Sequence, residues 1–273
     1  MKSFSLNVPN YSENLTKSLV TWMDSGFSEY STSHASGNLS KKAHPAYADG
    51  YVWGSNLKNW SWENPVYVYV GGILQTSGYS INYRDGLIIF NTIKSNANAD
   101  YYYKKVEVID AKDNDFFRGE NSHLNVFEGT YRPNAVQLPL VAIETADTNS
   151  KGYELGSYTR DVTKNILINV ITKTKEDCEK ISDAISRQID GNFSLYDYDQ
   201  AKRSGFYPLN DDGFLINISG TYNALASGYQ LSISLNSRGY IDDAEQEDVT
   251  KLNNNLYHCT IRYKVSTILN MNI

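Results

Sequence analysis

Cysteine is nearly absent from this 273-residue chain, with Cys178 and Cys259 the only two. They lie far apart and form no CxxC pair. That excludes a disulfide framework or a cysteine-rich zinc site as the organising feature. Both fall on apolar faces of predicted elements and are expected as buried, reduced thiols acting as small hydrophobes. Histidine is scarce as well. None of His34, His44, His123 and His258 stands three or four positions from another, and no HExxH occurs. There is no GxSxG elbow, and Gly71-Gly72 is followed by a strand, so no helix N-terminus is offered to a phosphate. No catalytic residue, cofactor or metal is therefore expected. Positive charge is thin too: 25 Lys and Arg against 31 Asp and Glu give a net charge of −6. The basic clusters are Lys41-Lys42, Lys104-Lys105 and Lys202-Arg203, too short for a surface whose affinity depends on neutralising phosphates. No apolar run approaches the length of a membrane helix and Met1–Ser5 starts no signal core, so synthesis in a reducing cytosol without a membrane partner is expected.

What is abundant is tyrosine, at 22 residues. The aliphatic core is thinner than the 41% hydrophobic content suggests, and rings must supply much of the buried area. Tyrosine favours strands and contact surfaces. Residues 12–24 predict a helix with Leu15, Leu19, Trp22 and Met23 on one stripe and Gly26 as its stop. The polar stretch 28–45 reads as a linker or extended arm. From Tyr47 to Ile109 the period changes to two. Pro65–Val70 is a strand ending in the Gly71-Gly72 turn, and Tyr79–Tyr83 turns through Arg84-Asp85-Gly86 into Leu87–Phe90. Tyr101–Ile109 reads as a further strand. Residues 111–134 are turn-rich and mark a boundary.

Beyond it, Leu138–Thr145 and Thr163–Thr172 read as strands, the second apolar on both faces as an interior strand would be. Thr174 caps a helix through Ile189 with Cys178, Ile181, Ile185 and Ile189 on one stripe. Phe193–Tyr198, Phe214–Ser219 and Tyr229–Leu235 are further strands. The clearest runs from Tyr257 to Leu269, where Tyr257, Cys259, Ile261, Tyr263, Val265, Thr267 and Leu269 alternate with His258, Thr260, Arg262, Lys264 and Ser266. The carboxylates Asp110, Asp113 and Asp115 do not match an EF-hand and are expected to be solvated. Those from Asp242 to Asp248 are expected to open a helix or an acidic loop. The expected class is α+β: a mixed sheet with packed helices, plus a small all-β hairpin insert. Its parts are an N-terminal helix and arm at 1–46, a β-rich insert at 47–125 and an α+β domain at 126–273.

The aromatic segment Tyr47, Tyr51, Trp53, Trp60, Trp62, Tyr67 and Tyr69 is the strongest local peculiarity. It admits three readings: a core built of rings, a subunit interface anchored by Trp and Tyr, or a sugar-stacking surface for carbohydrate or host recognition centred on Trp53, Trp60 and Trp62. The candidate interface residues are Trp53, Trp60, Trp62, Tyr67 and Tyr69, with Arg262 and Lys264 on the polar face of the last strand.

Two stretches carry a family resemblance. Val66-Tyr67-Val68-Tyr69-Val70-Gly71-Gly72 followed by Tyr79–Phe90 resembles a hairpin pattern of tailed-bacteriophage virion proteins. Leu138–Glu144, Tyr153-Glu154-Leu155-Gly156-Ser157, Ile166–Ile171, the helix at 175–189 and Phe193–Tyr198 are together similar to phage neck and tail-terminator proteins. The resemblance implies a tail-terminator-like fold and a structural, non-enzymatic virion protein assembled in the host bacterial cytoplasm. It implies a homo-oligomeric ring, a hexamer in many such proteins, at the head–tail junction. That ring caps the tail tube, contacts other neck, tail-tube or connector proteins, and leaves a channel through which genomic DNA passes. The insert at 47–109 and the arm at 28–45 exceed a minimal tail terminator.

Overall fold

The structure is a computed structural model that describes residues 11–44, 46–61, 64–83, 85–111, 137–152, 159–198, 231 and 238–270. Among the described residues there are two helices and fifteen strands. The strands form three sheets that curl into a half-barrel. This corrects the expected class: the chain is mostly β and is not a helix-packed α+β tail-terminator fold. Strands run longer and more numerous than the sequence alone suggested, because alternation in one strand continues wherever a paired strand completes the ladder.

The large sheet has seven strands. Its main order is β12 (Asn192–Ser194), β13 (Arg238–Gln246), β15 (Leu256–Asn270), β11 (Thr159–Thr172), β10 (Leu140–Gly152) and β9 (Glu107–Asp110), with β14 (Thr250–Asn253) paired to β15. β11 and β15 are antiparallel over their full length, from Thr159 opposite Asn270 to Thr172 opposite Tyr257. The expected alternation in β15 holds, with Cys259, Ile261, Tyr263, Val265, Thr267 and Leu269 all buried. The two-sided apolarity of β11 matches its interior place between β10 and β15.

Helices cover one face of this sheet. In α1 (Tyr11–Ser31), Leu15, Leu19, Met23 and Phe27 join a core with Val141, Ile143, Ile166, Ile168 and Val170. The helix continues through Gly26, because Phe27 adds one more buried turn that outweighs a glycine's modest cost. The polar side of α1 is used as well. Ser18 Oγ accepts from Tyr196 N at 3.0 Å, and Asn14 Oδ1 from Tyr198 N at 3.1 Å. The second helix, α2 (Lys175–Ser186), starts where expected: Thr174 accepts from Asp177 N and ends the extended chain. Cys178, Ile181 and Ile185 are buried, while Ile189 lies past the helix end and is exposed. Tyr263 Oη donates to Ile185 O at 2.5 Å, beside the Gln188 N–H that the same carbonyl accepts at 3.0 Å, so a sheet residue ties down the last turn.

The remaining strands make two four-stranded sheets, in the orders β1-β8-β4-β5 and β2-β3-β7-β6. The first holds β1 (Thr32–Asn38), β8 (Asn98–Lys104), β4 (Tyr67–Val70) and β5 (Ile73–Gln75). The second holds β2 (Ser40–Lys41), β3 (Val52–Gly54), β7 (Leu87–Phe90) and β6 (Tyr79–Asn82). Both expected hairpins form. Gly71 and Gly72 have φ of 58° and 79°, the pair of positive values that a two-residue hairpin turn needs. Gly86, with φ of 65°, closes the second. A Cβ there would lie 2.6 Å from Leu57 O and 2.8 Å from Trp60 Nε1, so only glycine lets the turn pack on the indole.

Three further expectations change. Residues 32–38 of the supposed arm are a strand, paired with β8 from Thr32 opposite Lys104 to Asn38 opposite Asn98. Ala35, opposite Tyr101, packs on the ring-rich core, and this small residue leaves room for those rings. The strand expected at 101–109 is two strands: the chain leaves one sheet after Lys104 and enters the other at Glu107, parallel to β10. Asp242–Gln246 is neither helix nor loop but part of β13, where Asp243 and Glu245 face Lys264 and Arg262 across the ladder. Those cross-strand charge pairs favour the extended form. Phe214–Ser219 and most of Tyr229–Leu235 lie outside the described residues.

Candidate functional site

The expected interface residues separate into three groups. Trp53 and Trp60 point inward, 6% and 1% exposed, in a core with Leu39, Val68, Ile88, Phe90, Ala97, Ala99 and Tyr101. Trp53 Nε1 donates to Gly50 O at 3.1 Å and Trp60 Nε1 to Leu57 O at 2.9 Å. Trp60 stacks on Tyr101 with centroids 4.0 Å apart and planes 19° from parallel. Both indoles are therefore covered, and neither offers a ring face for a sugar to stack on. Trp62 lies outside the described residues. Tyr67 is exposed and Tyr69 half-buried, both on the outer side of β4. Arg262 and Lys264 are exposed on the face of the large sheet opposite α1 and α2, where Arg262 pairs with Glu247 at 3.0 Å.

Sheet register shows what surrounds the tyrosines. Tyr69 stands between Leu74 of β5 and Asn98 of β8, and Tyr67 faces Asp100. Asp100 in turn faces Ser36 of β1, and Tyr102 faces His34. With a period of two, these residues share the outer face, while Val68, Ala99, Tyr101 and Ala35 pack inward. His34 bonds Asp100 through Nε2, and its ring lies 5.0 Å from that of Tyr102. The sequence reading placed His34 in a loop and gave Tyr102 no role. Their common face follows only from pairing between segments more than sixty residues apart. The alternation of β8 was the available signal, but without the partner strand it does not say which rings face out.

Elsewhere the titratable groups serve the core. Burial pushes the Cys178 thiol up to about 11 and raises that of Cys259. Neither is therefore poised as a thiolate nucleophile. His258 is hydrogen-bonded to Asn169 Oδ1 at 3.0 Å, and burial lowers its pKa against an opposing pull from Glu247. Among the described residues, no three His, Cys, Asp or Glu side chains gather as a metal ion would require. Asp113, Asp115 and His123 lie outside the described residues. A groove of about 590 Å³ between α1 and α2 has Trp22, Met23, Phe27, Ile181 and Ile185 in its wall. Its rim charges are paired, Lys180 with Glu176 at 2.6 Å and Arg187 with Asp183 at 3.8 Å. No helix among the described residues is long and apolar enough to cross a membrane.

One junction holds the small sheets to the large one. Lys104, 3% exposed at the end of β8, reaches Asp24 of α1 with Nζ 2.5 Å from Oδ2. Beside it, Gln137 Nε2 donates to Lys104 O at 2.9 Å, Gln137 Oε1 accepts from Lys58 N at 2.9 Å, and Glu107 accepts from Gln137 N.

Strand edges are the other exposed feature. β10 pairs with β9 only from Leu140 to Ile143, and then continues to Gly152 beside β11 alone. Among the described residues, the other edge of Glu144–Gly152 has no strand partner, and Ala146–Ser150 are exposed. A bulge sets Ala146 and Asp147 outside the β11 register. No protein-family model matches the chain, and no curated protein matches it either.

Proposed function

We propose that this chain is a structural subunit of a tailed-bacteriophage neck, joining copies of itself and neighbouring virion proteins at the head–tail junction. The reading rests on the hairpin pattern of residues 66–90 and on one structural observation, the outer edge of β10 beyond Ile143, which has no strand partner among the described residues. An edge strand of that length is a template for main-chain pairing with another chain, and assemblies use such edges to join subunits. The sheet face opposite α1 and α2, carrying the exposed Arg262 and Lys264, adds a second, polar contact surface. The proposal does not depend on a tail-terminator fold.

Asp147→Pro tests the edge. Residue 147 sits in the bulge and pairs with no residue of β11, so proline there costs no ladder bond within the subunit. It would obstruct an incoming strand. Mass photometry of the purified chain, alone and mixed with isolated phage tails, should show a multi-subunit or tail-bound species for the wild type. The variant should lose that species while keeping its melting temperature. A wild-type chain that stays monomeric in both samples, or a variant that assembles like the wild type, removes the reading.

A further inference from the structure

We infer that the outer face of the β1-β8-β4-β5 sheet is a binding surface for a neutral carbohydrate. This goes beyond the neck reading and does not rest on it.

The face is defined by register. Leu74, Tyr69 and Asn98 form one row across β5, β4 and β8; Tyr67, Asp100 and Ser36 form the next across β4, β8 and β1; Tyr102 and His34 complete a third. Tyr67 is 46% exposed, and His34, Ser36 and Asn98 are exposed as well. Rings thus alternate with hydrogen-bonding groups at sheet spacing: a carboxylate, an amide, a hydroxyl and an imidazole. A sugar presents the complementary pattern, with C–H faces that lie on rings and hydroxyls at its rim that both donate and accept. Asp100 can accept from such hydroxyls, and Asn98 can do both. The bond between His34 and Asp100 holds the carboxylate in place, as a positioned polar group in a ligand site should be held.

The same inventory argues against other occupants. Among the described residues no Lys or Arg stands on this face, and Lys104 at its end is buried against Asp24, so the described face offers no cation to hold phosphates or an acidic sugar. Protein interfaces deplete charge from their centre, whereas Asp100 with its histidine partner occupies the middle of this surface. Tyrosines beside neutral polar groups with a single paired carboxylate favour a neutral glycan.

The test is isothermal titration of the full chain with cellohexaose, maltohexaose and chitohexaose. At least one is expected to bind with a dissociation constant of about 1 mM or tighter. Tyr67→Ser should weaken it about tenfold, the scale of one ring contact. Asp100→Asn should weaken it too, while Ile93→Ser, exposed but off this face, should not. Thermal melts matching the wild type establish that each variant is folded. Absence of binding to all three sugars overturns the inference, as does binding that neither Tyr67→Ser nor Asp100→Asn alters. Self-association that Tyr67→Ser abolishes would make this face a protein interface and would equally overturn it.

Discussion

Trp60→Ala is expected to cost about 3–5 kcal/mol of folding stability, the range for deleting a large buried aromatic. The indole is 1% exposed, stacked on Tyr101 at 4.0 Å, and bonded through Nε1 to Leu57 O at 2.9 Å. It also fills the space that Gly86 leaves open, so truncation creates a cavity beneath the β6–β7 turn. The backbone cannot collapse into it readily, because Trp60 N is held by Tyr83 O at 2.7 Å and the residue bridges Tyr103. Urea denaturation of wild type and variant measures the loss. A change under about 1 kcal/mol would mean that the indole is not packed as described. Tyr67→Ala, which removes an exposed ring, should stay within about 0.5 kcal/mol of wild type.

Asp24→Ala is the second large effect, at about 3 kcal/mol. Lys104 keeps only 4% of its side chain exposed, and removing Asp24 takes away the one carboxylate that its ammonium reaches among the described residues. The Coulomb attraction of the pair offsets a desolvation cost that the lone lysine still bears. Lys104→Met removes the buried charge with similar volume and should therefore cost less than Asp24→Ala. In the double variant, Asp24→Ala should add little, since its penalty comes from the stranded charge. Because the pair lies inside the junction between α1 and β8, its contribution should change little between low and high salt, unlike that of Lys41 with Asp49 on the surface. Additive single effects in the double-mutant cycle would sink this account of the junction.

These two residues also show what a sequence can and cannot carry. The start and buried stripe of α2 were legible because they are local, with Thr174, Asp177, Cys178, Ile181 and Ile185 within twelve positions, whereas its end falls at Ser186 and not at Ile189. β15 was legible because alternation over a long strand is local too. Trp60 was prominent in the sequence, yet its direction was not, since a ring on a core face and a ring on a contact face leave the same trace. Asp24 and Lys104 gave no signal at all, because eighty positions separate them and only the docking of α1 on the sheets unites them. The strand at 32–38 was hidden for the same reason. Its Ser, Ala and Gly residues have weak strand preference, and the tyrosines of β8 make it a strand by pairing with it. The outer face that gathers His34, Tyr67, Asp100 and Tyr102 is built wholly from such non-local pairing. The fold class went astray because the β13 carboxylates suggested a helix or loop, and because β10 and β11 run further than their apolar segments.

The most direct measurement of the proposed role is immunogold electron microscopy with an antibody against this chain, applied to particles released by the host that carries its gene. The account predicts label on tailed particles, confined to the junction between head and tail. Tailed particles that lack label there, with the chain recovered only free in the lysate, would contradict it.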